Sequence, residues 1–387
     1  MVTYVPEGHR PVDTKWVYDV KRDQQGNLLR CRARKVGRGF TQEAGVNYGE
    51  TFSQISRSET WRILLVLAVQ NKWAVRQWDV KTAYLQAPLT HEVYVQDVNE
   101  KGEIKSWRLN KALYGLKQAG HEWYKTMKRI MTQTGLQQSI GDPGCFYKDG
   151  LIISTHVDDM MAVAPTKTQL ENIELAIEQH VELDKLGIPK KLLGMELTWD
   201  ERSVKLTQKT SIENLAKEHD LPASNIPTRS LPSKLTLFDP PKEGEELPPN
   251  KLKNYQSLVG SLLYINRCTR PEISIQVNLL GRRTAKASQL NMQTAMHILR
   301  YLVSSKEKGL TIKRGNPEKN GLIKVYADAS YGGDQSKSQS GNLTILSGQV
   351  VMWSSRRQDI TALSITEAEY ISCSEAAKDI RWLQQFL

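Results

Sequence analysis

The hydrophobic positions of the chain repeat with two different periods, and this mixture predicts both helices and strands. Apolar residues three or four positions apart predict amphipathic helices over residues 60–73 and 166–181. Between them, residues 74–80 (AVRQWDV) form a short apolar run that is typical of a strand. Residues 110–135 have helical spacing that two glycines interrupt. The first 225 residues therefore predict an α+β fold.

The second half of the chain is organised differently. Residues 226–250 hold six of the 15 prolines, which can neither continue a helix nor donate to a strand ladder, so they predict a linker. Helical spacing returns in two runs, and after Gly321 three strand-like runs precede a helix that starts near Thr366. The predicted parts are an α+β domain over residues 1–225, the linker over 226–250, a helical connection over 251–320 and a smaller α/β domain over 321–387.

Composition excludes several classes of protein. A chain of 387 residues with 39% hydrophobic residues can bury an ordinary core. Its apolar runs are too short to cross a bilayer, and its first residues lack the pattern of a secretory signal, so we expect no membrane partner and a location inside a cell. The four cysteines form no CxxC pair, which indicates neither a zinc site nor a disulfide framework.

The net charge of +11 makes a polyanion a plausible partner. In the run RCRARKVGRGF, Arg30, Arg32 and Arg34 alternate with small residues, which places their side chains on one face of a strand. That face is either an ordinary solvated surface or a surface that grips phosphates with the planar guanidinium groups. The sequence alone leaves both interpretations open.

Two adjacent carboxylates, Asp158 and Asp159, lie between two apolar runs in the stretch GLIISTHVDDMMAVAP. One interpretation is the tight turn of a β-hairpin, because Asp is a common turn residue. The other is a metal site, for which a turning or strained backbone must bring neighbouring side chains together. A third carboxylate would favour the metal site.

Asp79 supplies that third carboxylate at the end of the strand-like run 74–80. Alternatively it caps a short helix that follows. An Asp at a strand end, a Tyr five residues later and a later Asp-Asp hairpin are typical of nucleic-acid polymerases. In these enzymes carboxylate oxygens hold two Mg2+ about 3.5–4 Å apart for phosphoryl transfer.

A series of longer motifs shows a more specific resemblance. The chain resembles the reverse transcriptase of copia-type long-terminal-repeat retrotransposons, running into their connection and RNase H segments. The motifs appear in family order over nearly the whole chain: TKWVYDVKRDQQGNLLRCRARKVGRGFTQEAGVNYGETFS, WDVKTAYLQAPL, LNKALYGLKQAGHEWY, HVDD, LLGMEL, YQSLVGSLLYINRCTRPEI, ILRYLVSSKEKGL, YADASYGGD and SITEAEYISCSEAAKDIRWL.

The resemblance implies a fold and an activity. We expect a right-hand polymerase with palm, fingers and a small helical thumb-like segment, followed by a partial RNase H-like domain. The implied activity is RNA-directed DNA polymerase, with Mg2+ or Mn2+ as cofactor. The implied substrates are dNTPs and an RNA template with an RNA/DNA or DNA/DNA primer–template duplex. We expect it in cytoplasmic virus-like particles and in the nucleus.

The resemblance also implies roles for individual residues. Asp79, Asp158 and Asp159 correspond to the catalytic, metal-binding carboxylates. Tyr84 corresponds to the aromatic residue that excludes a 2′-hydroxyl, although a core aromatic is the alternative. The other implied substrate contacts are Thr82, Ala83, Gln118, Arg34, Lys35, with the register of that strand open by one residue, and Gly194 in the hairpin that grips the primer.

A second pair of carboxylates corresponds to the RNase H segment. Asp328 would end a first strand and Glu369 would open a first helix, where both could share Mg2+. The alternative for Glu369 is a capping box, because Thr366 to Glu369 fits the T-x-x-E pattern. The family motif favours Glu369 over Glu367.

The chain departs from the family pattern in three ways. His156 occupies the position before VDD where the family usually has Tyr. The chain begins a few residues before TKWVYDVK, which suggests a fragment or relic reading frame. It ends at the helix that contains Glu369, so we expect an inactive RNase H segment whose first strand is an unpaired edge.

Two other functions remain open from the sequence. The first is a catalytically inactive, nucleic-acid-binding remnant of the same element. The second is a metal-dependent nuclease whose chemistry depends only on Asp328 and Glu369.

Overall fold

The chain divides into two compact units. The structure, a computed structural model, describes residues 4–22, 27–98, 101–222, 230–315, 321–332 and 337–387. The first unit consists of Met1–Arg57 and Val75–Gly187, and the second of Ser58–Ala74 and Ile188–Leu387. The four predicted domain ranges stay a prediction, and positions 226–229 of the predicted linker lie outside the described residues.

The described residues form both helices and strands, which is compatible with the predicted α+β class. The strands are β1 (Val12–Arg22), β2 (Leu28–Gly37), β3 (Ala74–Val80), β4 (Pro88–Val98), β5 (Ile104–Lys111), β6 (Gln137–Gln138), β7 (Cys145–Lys148), β8 (Leu151–His156), β9 (Asp159–Ala164), β10 (Leu183–Gly187), β11 (Lys191–Leu192), β12 (Met195–Trp199), β13 (Ser203–Thr207), β14 (Leu310–Lys313), β15 (Ile323–Ser330), β16 (Gln339–Leu346) and β17 (Gln349–Arg357). The α-helices are α1 (Ser58–Asn71), α2 (Ala83–Gln86), α3 (Ala119–Gln133), α4 (Lys167–Glu178), α5 (Lys209–Glu218), α6 (Pro249–Thr269), α7 (Ser274–Gly281), α8 (Gln289–Ser304) and α9 (Ile365–Phe386).

The first unit contains two sheets. Their strand orders are β2-β1-β4-β5 and β10-β3-β9-β8-β7-β6. The second sheet carries the core, because β9 is a run of apolar residues that is buried from Met160 to its end. Helix α4 packs against β9 and begins with a capping box formed by Thr166 and Gln169. The central position of β3, beside β9, places the end of β3 next to the β8–β9 hairpin.

The second unit combines a helical core with two further sheets. Their strand orders are β11-β12-β13-β14 and β15-β16-β17. Helices α5 to α8 share one apolar cluster, in which Tyr255, Leu258 and Ile298 are fully buried. Helix α1 also belongs to this unit and is buried on nearly all sides, which explains why its sequence is apolar around most of its circumference.

A buried arginine connects α1 to the rest of the second unit. The Arg62 guanidinium donates to the carbonyl oxygens of Val351 (2.7 Å) and Arg267 (2.9 Å). It also lies 4.3 Å from the centroid of the Trp353 ring and forms an ion pair with Glu59 at 3.5 Å. Burial lowers the pKa of Arg62 to about 10. This value is still well above 7, so the side chain is charged at neutral pH. The C-terminal sheet is therefore packed into the same unit as α1.

Two local predictions differ from the structure. The predicted helical stretch over residues 110–135 has its first two residues in β5, and α3 begins at Ala119 and continues through Gly120, which therefore does not interrupt it. The capping box of α9 does not use Thr366 and Glu369. Instead, Ser364 accepts from the backbone N–H of Glu367 and the Glu367 carboxylate accepts from the Leu363 N–H at 2.6 Å. Glu369 is therefore not the capping residue.

No helix within the described residues is both long enough and apolar enough to span a membrane.

A tight contact in the second unit depends on Gly194. Leu193 and Gly194 form the turn between β11 and β12, with φ values of 46° and 78°. The Tyr264 hydroxyl donates to the Leu193 carbonyl at 2.7 Å, and a Cβ added to Gly194 would lie 1.9 Å from that hydroxyl oxygen. Only glycine fits this backbone conformation without displacing Tyr264.

We predict that Gly194→Ala destabilises the second unit by more than its backbone strain alone. Gly348→Ala is the matched control, because Ser347 and Gly348 form a turn with the same positive φ values and open space at the added Cβ. The control should cost about 1–2 kcal/mol. Gly194→Ala should cost about 1–3 kcal/mol more in chemical denaturation, because the hydroxyl must move.

The background variant Tyr264→Phe tests the cause. Removing the hydroxyl leaves the ring carbon 3.2 Å from the added Cβ, so the cost of Gly194→Ala should fall in this background. Equal costs in both backgrounds would show that the contact does not constrain Gly194.

Candidate active site

The paired aspartates lie at the turn of the β8–β9 hairpin, so the hairpin prediction is confirmed. His156 and Asp159 are cross-strand partners, and Val157 and Asp158 form the two-residue turn between them. Val157 has a φ of 61°, which is rare for a β-branched residue. This strained turn is the kind of backbone that allows adjacent carboxylates to lie on one side of a sheet.

Asp79 lies beside this turn. The backbone N–H of Val80 donates to the Asp158 carbonyl oxygen at 2.9 Å, which fixes the end of β3 against the hairpin. The N-cap alternative for Asp79 is wrong, because the residue at the N-cap position of α2 is Thr82. The carboxylate of Asp79 is therefore free of a helix-capping role.

Electrostatic repulsion connects the three carboxylates. Burial, followed by the charges of Asp158, Asp159 and Asp184, raises the pKa of Asp79 to about 6. Arg32 opposes this shift. Burial, followed by the charge of Asp158, also raises the pKa of Asp159. These groups are close enough to destabilise each other's charged form.

Two neighbours stabilise the charged form of Asp159. The side chain of Gln77 hydrogen bonds to this carboxylate, and the His156 imidazole lowers its pKa. Gln77 is buried on β3, so the same strand that presents Asp79 also orients Asp159. The residue that departs from the family pattern, His156, thus acts directly on a candidate metal ligand.

The carboxylates fit a hard divalent cation by chemistry. Mg2+ prefers carboxylate oxygens, and a cation would relieve the repulsion that raises the pKa of Asp79. Within the ranges that the structure describes, no three His, Cys, Asp or Glu side chains are already arranged around a common metal position. The donor set is therefore suitable, and its arrangement is not a preformed cage.

The arginines of β2 lie on one face, as their alternation predicted. They face the partner residues Lys21, Asp19 and Val17 of β1 in register. Arg32 is near enough to Asp79 to lower its pKa, and Arg34 acts in the same way on Tyr114. The arginine face is therefore directed towards the carboxylates.

Lys35 points to the other face of β2. Its Nζ is 2.5 Å from the Asp97 carboxylate and 4.9 Å from the centroid of the Trp107 ring. An ammonium group held in this way is less available to a ligand than the exposed Arg34.

Tyr84 contacts a second tyrosine that the sequence analysis missed. The rings of Tyr84 and Tyr114 are 4.8 Å apart between centroids, and both hydroxyls have raised pKa values through burial and then the charge of Asp158. The Gly37 N–H donates to the Tyr114 carbonyl oxygen at 2.8 Å. Gly115 has a φ of 91°, and a Cβ there would lie 2.1 Å from the Gly37 carbonyl oxygen, so this position requires glycine and cannot be part of a helix.

The other implied substrate contacts occupy different environments. Gln118 is buried, and its amide accepts from Gln42 at 3.0 Å and donates to the Asn47 carbonyl oxygen at 2.9 Å. Thr82 is exposed and has a φ of 51°, whereas Ala83 is buried. Gly194 belongs to the second unit. The structure thus brings Tyr84 near Asp158, places Arg34 near Tyr114 and gives Gln118 a set of internal partners.

Asp184 is a further carboxylate that sequence reasoning missed. It is the cross-strand partner of Asp79 on β10, and Lys81 forms ion pairs with it (3.3 Å) and with Glu182 (2.6 Å). No local motif marks Asp184, because only the pairing of β10 with β3 places it there.

The second pair of carboxylates is arranged differently. Asp328 is exposed on β15, and its carbonyl oxygen accepts from the Ser372 hydroxyl of α9 at 2.7 Å. Asn342, the partner of Ala327, donates to Asp379 of α9, so α9 covers the face of the sheet opposite to the Asp328 side chain. Helix α9 therefore contacts the backbone carbonyl group of Asp328, and the Asp328 side chain lies on the other face of the sheet.

Comparison with known proteins identifies the family. The family model described as "Reverse transcriptase (RNA-dependent DNA polymerase)" matches residues 1–232. The chain is 32% identical over 399 residues to the Retrovirus-related Pol polyprotein from transposon TNT 1-94 of Nicotiana tabacum, covering 99% of this chain and 30% of that protein. For the polyprotein from transposon RE1 of Arabidopsis thaliana the identity is 31%, covering 97% and 26%.

A shorter relative aligns over its whole length. The putative transposon Ty5-1 protein of Saccharomyces cerevisiae is 29% identical over 315 residues, covering 78% of this chain and 100% of that protein. The chain spans less than a third of the length of the two plant polyproteins. These matches confirm the resemblance drawn from the motifs, and the chain belongs to the reverse transcriptase family of copia-type retrotransposon Pol polyproteins.

Proposed function

We propose that this chain is an RNA-directed DNA polymerase that extends a primer 3′-hydroxyl on an RNA or DNA template. The observation that supports this proposal most strongly is the placement of Asp79 beside the Asp158–Asp159 turn, with the Val80 N–H bonded to the Asp158 carbonyl oxygen. Family membership supports the same activity. Asp79, Asp158 and Asp159 would hold Mg2+, which when bound activates the 3′-hydroxyl and stabilises the leaving pyrophosphate.

The neighbouring side chains contribute binding and selection. The guanidinium groups of Arg32 and Arg34 bind phosphate oxygens of the incoming dNTP, because their planar donors match phosphate geometry. Tyr84, supported by the Tyr114 ring, lies under the sugar and excludes a 2′-hydroxyl by its bulk. The internal hydrogen bonds of Gln118 support a role in holding the loop of residues 39–48 rather than a direct contact with the nucleotide.

We assign the larger sheet of the first unit to a palm and the smaller sheet to fingers. In the second unit, the Leu193–Gly194 hairpin corresponds to the primer grip, α5 to α8 to the thumb-like and connecting helices, and β15 to β17 with α9 to an RNase H-like segment. We propose that this segment does not cleave RNA, because α9 covers the face opposite to the Asp328 side chain and Glu369 is the one other candidate ligand.

We predict that Asp79→Asn and Asp158→Asn each reduce primer extension by more than about 100-fold. A neutral amide cannot replace the charge that holds the cation, and metal-ion stabilisation is worth several kcal/mol. The measurement is extension of a primed RNA template with dNTPs and Mg2+.

Asp149→Asn is the matched control for this assay. Asp149 is exposed in the β7–β8 turn, at the other end of β8, and should tolerate the change. Wild-type extension by Asp79→Asn or Asp158→Asn would refute the metal-site assignment. A wild-type chain that binds primed template without extending it would favour the inactive remnant.

We predict that Asp79→Asn stabilises the metal-free protein at neutral pH. The folded-state pKa of Asp79 is raised from 3.8 to about 6, so its protonated form favours folding, and this contribution is lost as pH rises through about 6. The variant should therefore have a higher Tm than wild type in EDTA at about pH 7.5 and little advantage at about pH 4.

Thermal melts of both proteins and of Asp149→Asn across this range provide the measurement. A Tm for Asp79→Asn that equals that of wild type at neutral pH would mean that neither burial nor the neighbouring carboxylates disfavour the charged form of Asp79.

We predict that the arginine face of β2 contacts phosphates of the primed template. Replacing Arg30, Arg32 and Arg34 by Gln should weaken binding and reduce the slope of log K against log salt by up to about 2.7, since each phosphate contact contributes about 0.9. The measurement is binding affinity at several salt concentrations.

A control with the same change in net charge is Lys125, Lys128 and Arg129 replaced by Gln. These side chains are exposed on α3 in the same unit. Equal slopes for the two triple variants would make the β2 face an ordinary solvated surface.

A further inference from the structure

The first β-hairpin has two chemically different faces. Its arginine face is directed towards the carboxylates, and the opposite face carries exposed aromatic rings. Trp16 and Tyr18, two positions apart on β1, are 50% and 74% exposed. Such exposure is unusual for large aromatic side chains, and contiguous exposed apolar surface commonly marks an interaction site.

The two rings are arranged as the walls of a slot. Their centroids are 6.5 Å apart and their planes differ by 18°. Successive bases of a nucleic-acid strand stack about 3.4 Å apart, so one base between two rings needs about 6.8 Å. The centroid separation of these nearly parallel rings is close to that spacing.

The far side of Trp16 is supported, whereas the slot itself is open. Lys35 is the cross-strand partner of Trp16, and its Nζ lies 5.8 Å from the centroid of that ring. Its ammonium group is drawn towards Asp97 and Trp107, on strands β4 and β5. Because β4 pairs with β1 only at Val12 and Asp13, Lys35 reaches Trp16 from the side away from Tyr18.

We propose that Trp16 and Tyr18 bind one unpaired base of the single-stranded template outside the primer–template duplex. This inference rests on the proposed polymerase function. Strand β2 is an edge of its sheet, so a single strand whose phosphates contact the arginine face can pass around this edge to the aromatic face. Aromatic stacking and a nearby cation are the features that bind single strands without sequence preference.

The test compares two primer–templates that differ only in the template end, one blunt and one with a single-stranded overhang. The full-length wild type should bind the overhang substrate more tightly. Trp16→Leu and Tyr18→Leu, which keep apolar bulk but lose the ring, should reduce this preference by about 5- to 150-fold. Trp16→Phe and Tyr18→Phe should retain most of it.

Tyr147→Leu is the matched control, because this tyrosine is 45% exposed in the same unit on β7, outside the slot. It should not change the preference. A second measurement uses the wild type alone: fluorescence of 2-aminopurine in the overhang should be quenched on binding, and an abasic overhang, which keeps the phosphates and loses the base, should bind less tightly than the intact overhang.

Binding needs no catalysis, so the two proposals can fail separately. A chain that extends primers but shows no overhang preference, or whose Leu variants keep the wild-type preference, overturns the slot and leaves the polymerase intact. Unquenched 2-aminopurine overturns the slot as well. An overhang preference that depends on both rings, in a chain that cannot extend a primer, refutes only the polymerase activity.

Discussion

The close placement of three carboxylates in a partly buried position is the constraint on which the candidate site depends. The ends of β3 and of the β8–β9 hairpin are held together by backbone pairing, and this pairing places Asp79 near Asp158 and Asp159 although their charges oppose it. Neighbouring side chains reduce the free-energy cost of placing these negative charges close together. Arg32 offsets the charge at Asp79, while Gln77 and His156 stabilise the charge at Asp159. The stability of the surrounding core maintains the strained turn at Val157.

The hairpin of β1 and β2 has two chemically different faces, each suited to a different kind of contact. Strict alternation on β2 separates Arg32 and Arg34 from Lys35, so the arginine groups and the aromatic groups occupy opposite faces of the two strands. The second unit relies on a different device, a buried Arg62 that satisfies carbonyl oxygens from distant parts of the chain. Burying this charge is tolerable because each donor has a partner.

Sequence reasoning was accurate where the determinants are local. The strand predicted over residues 74–80 has the bounds of β3, and the two apolar runs on either side of the paired aspartates correctly predicted the β8–β9 hairpin. It was inaccurate where contacts between residues distant in sequence determine the local structure. The close approach of Gly115 to Gly37 excludes Gly115 from a helix. Both Ser364 to Glu367 and Thr366 to Glu369 fit the same capping pattern, and only the folded helix shows which pair forms the cap. Asp184 and Tyr114 reach the site through tertiary pairing, for which the sequence carries no local signal.

The central claim is that Asp79, Asp158 and Asp159 act together on one kind of ligand, a divalent cation. Titration of Mn2+ into the full-length chain, followed by electron paramagnetic resonance, measures this directly and needs no substrate. The account predicts saturable binding by wild type and by Asp149→Asn, and a large loss of affinity in Asp79→Asn and in Asp158→Asn. Unchanged Mn2+ affinity in both site variants would contradict it.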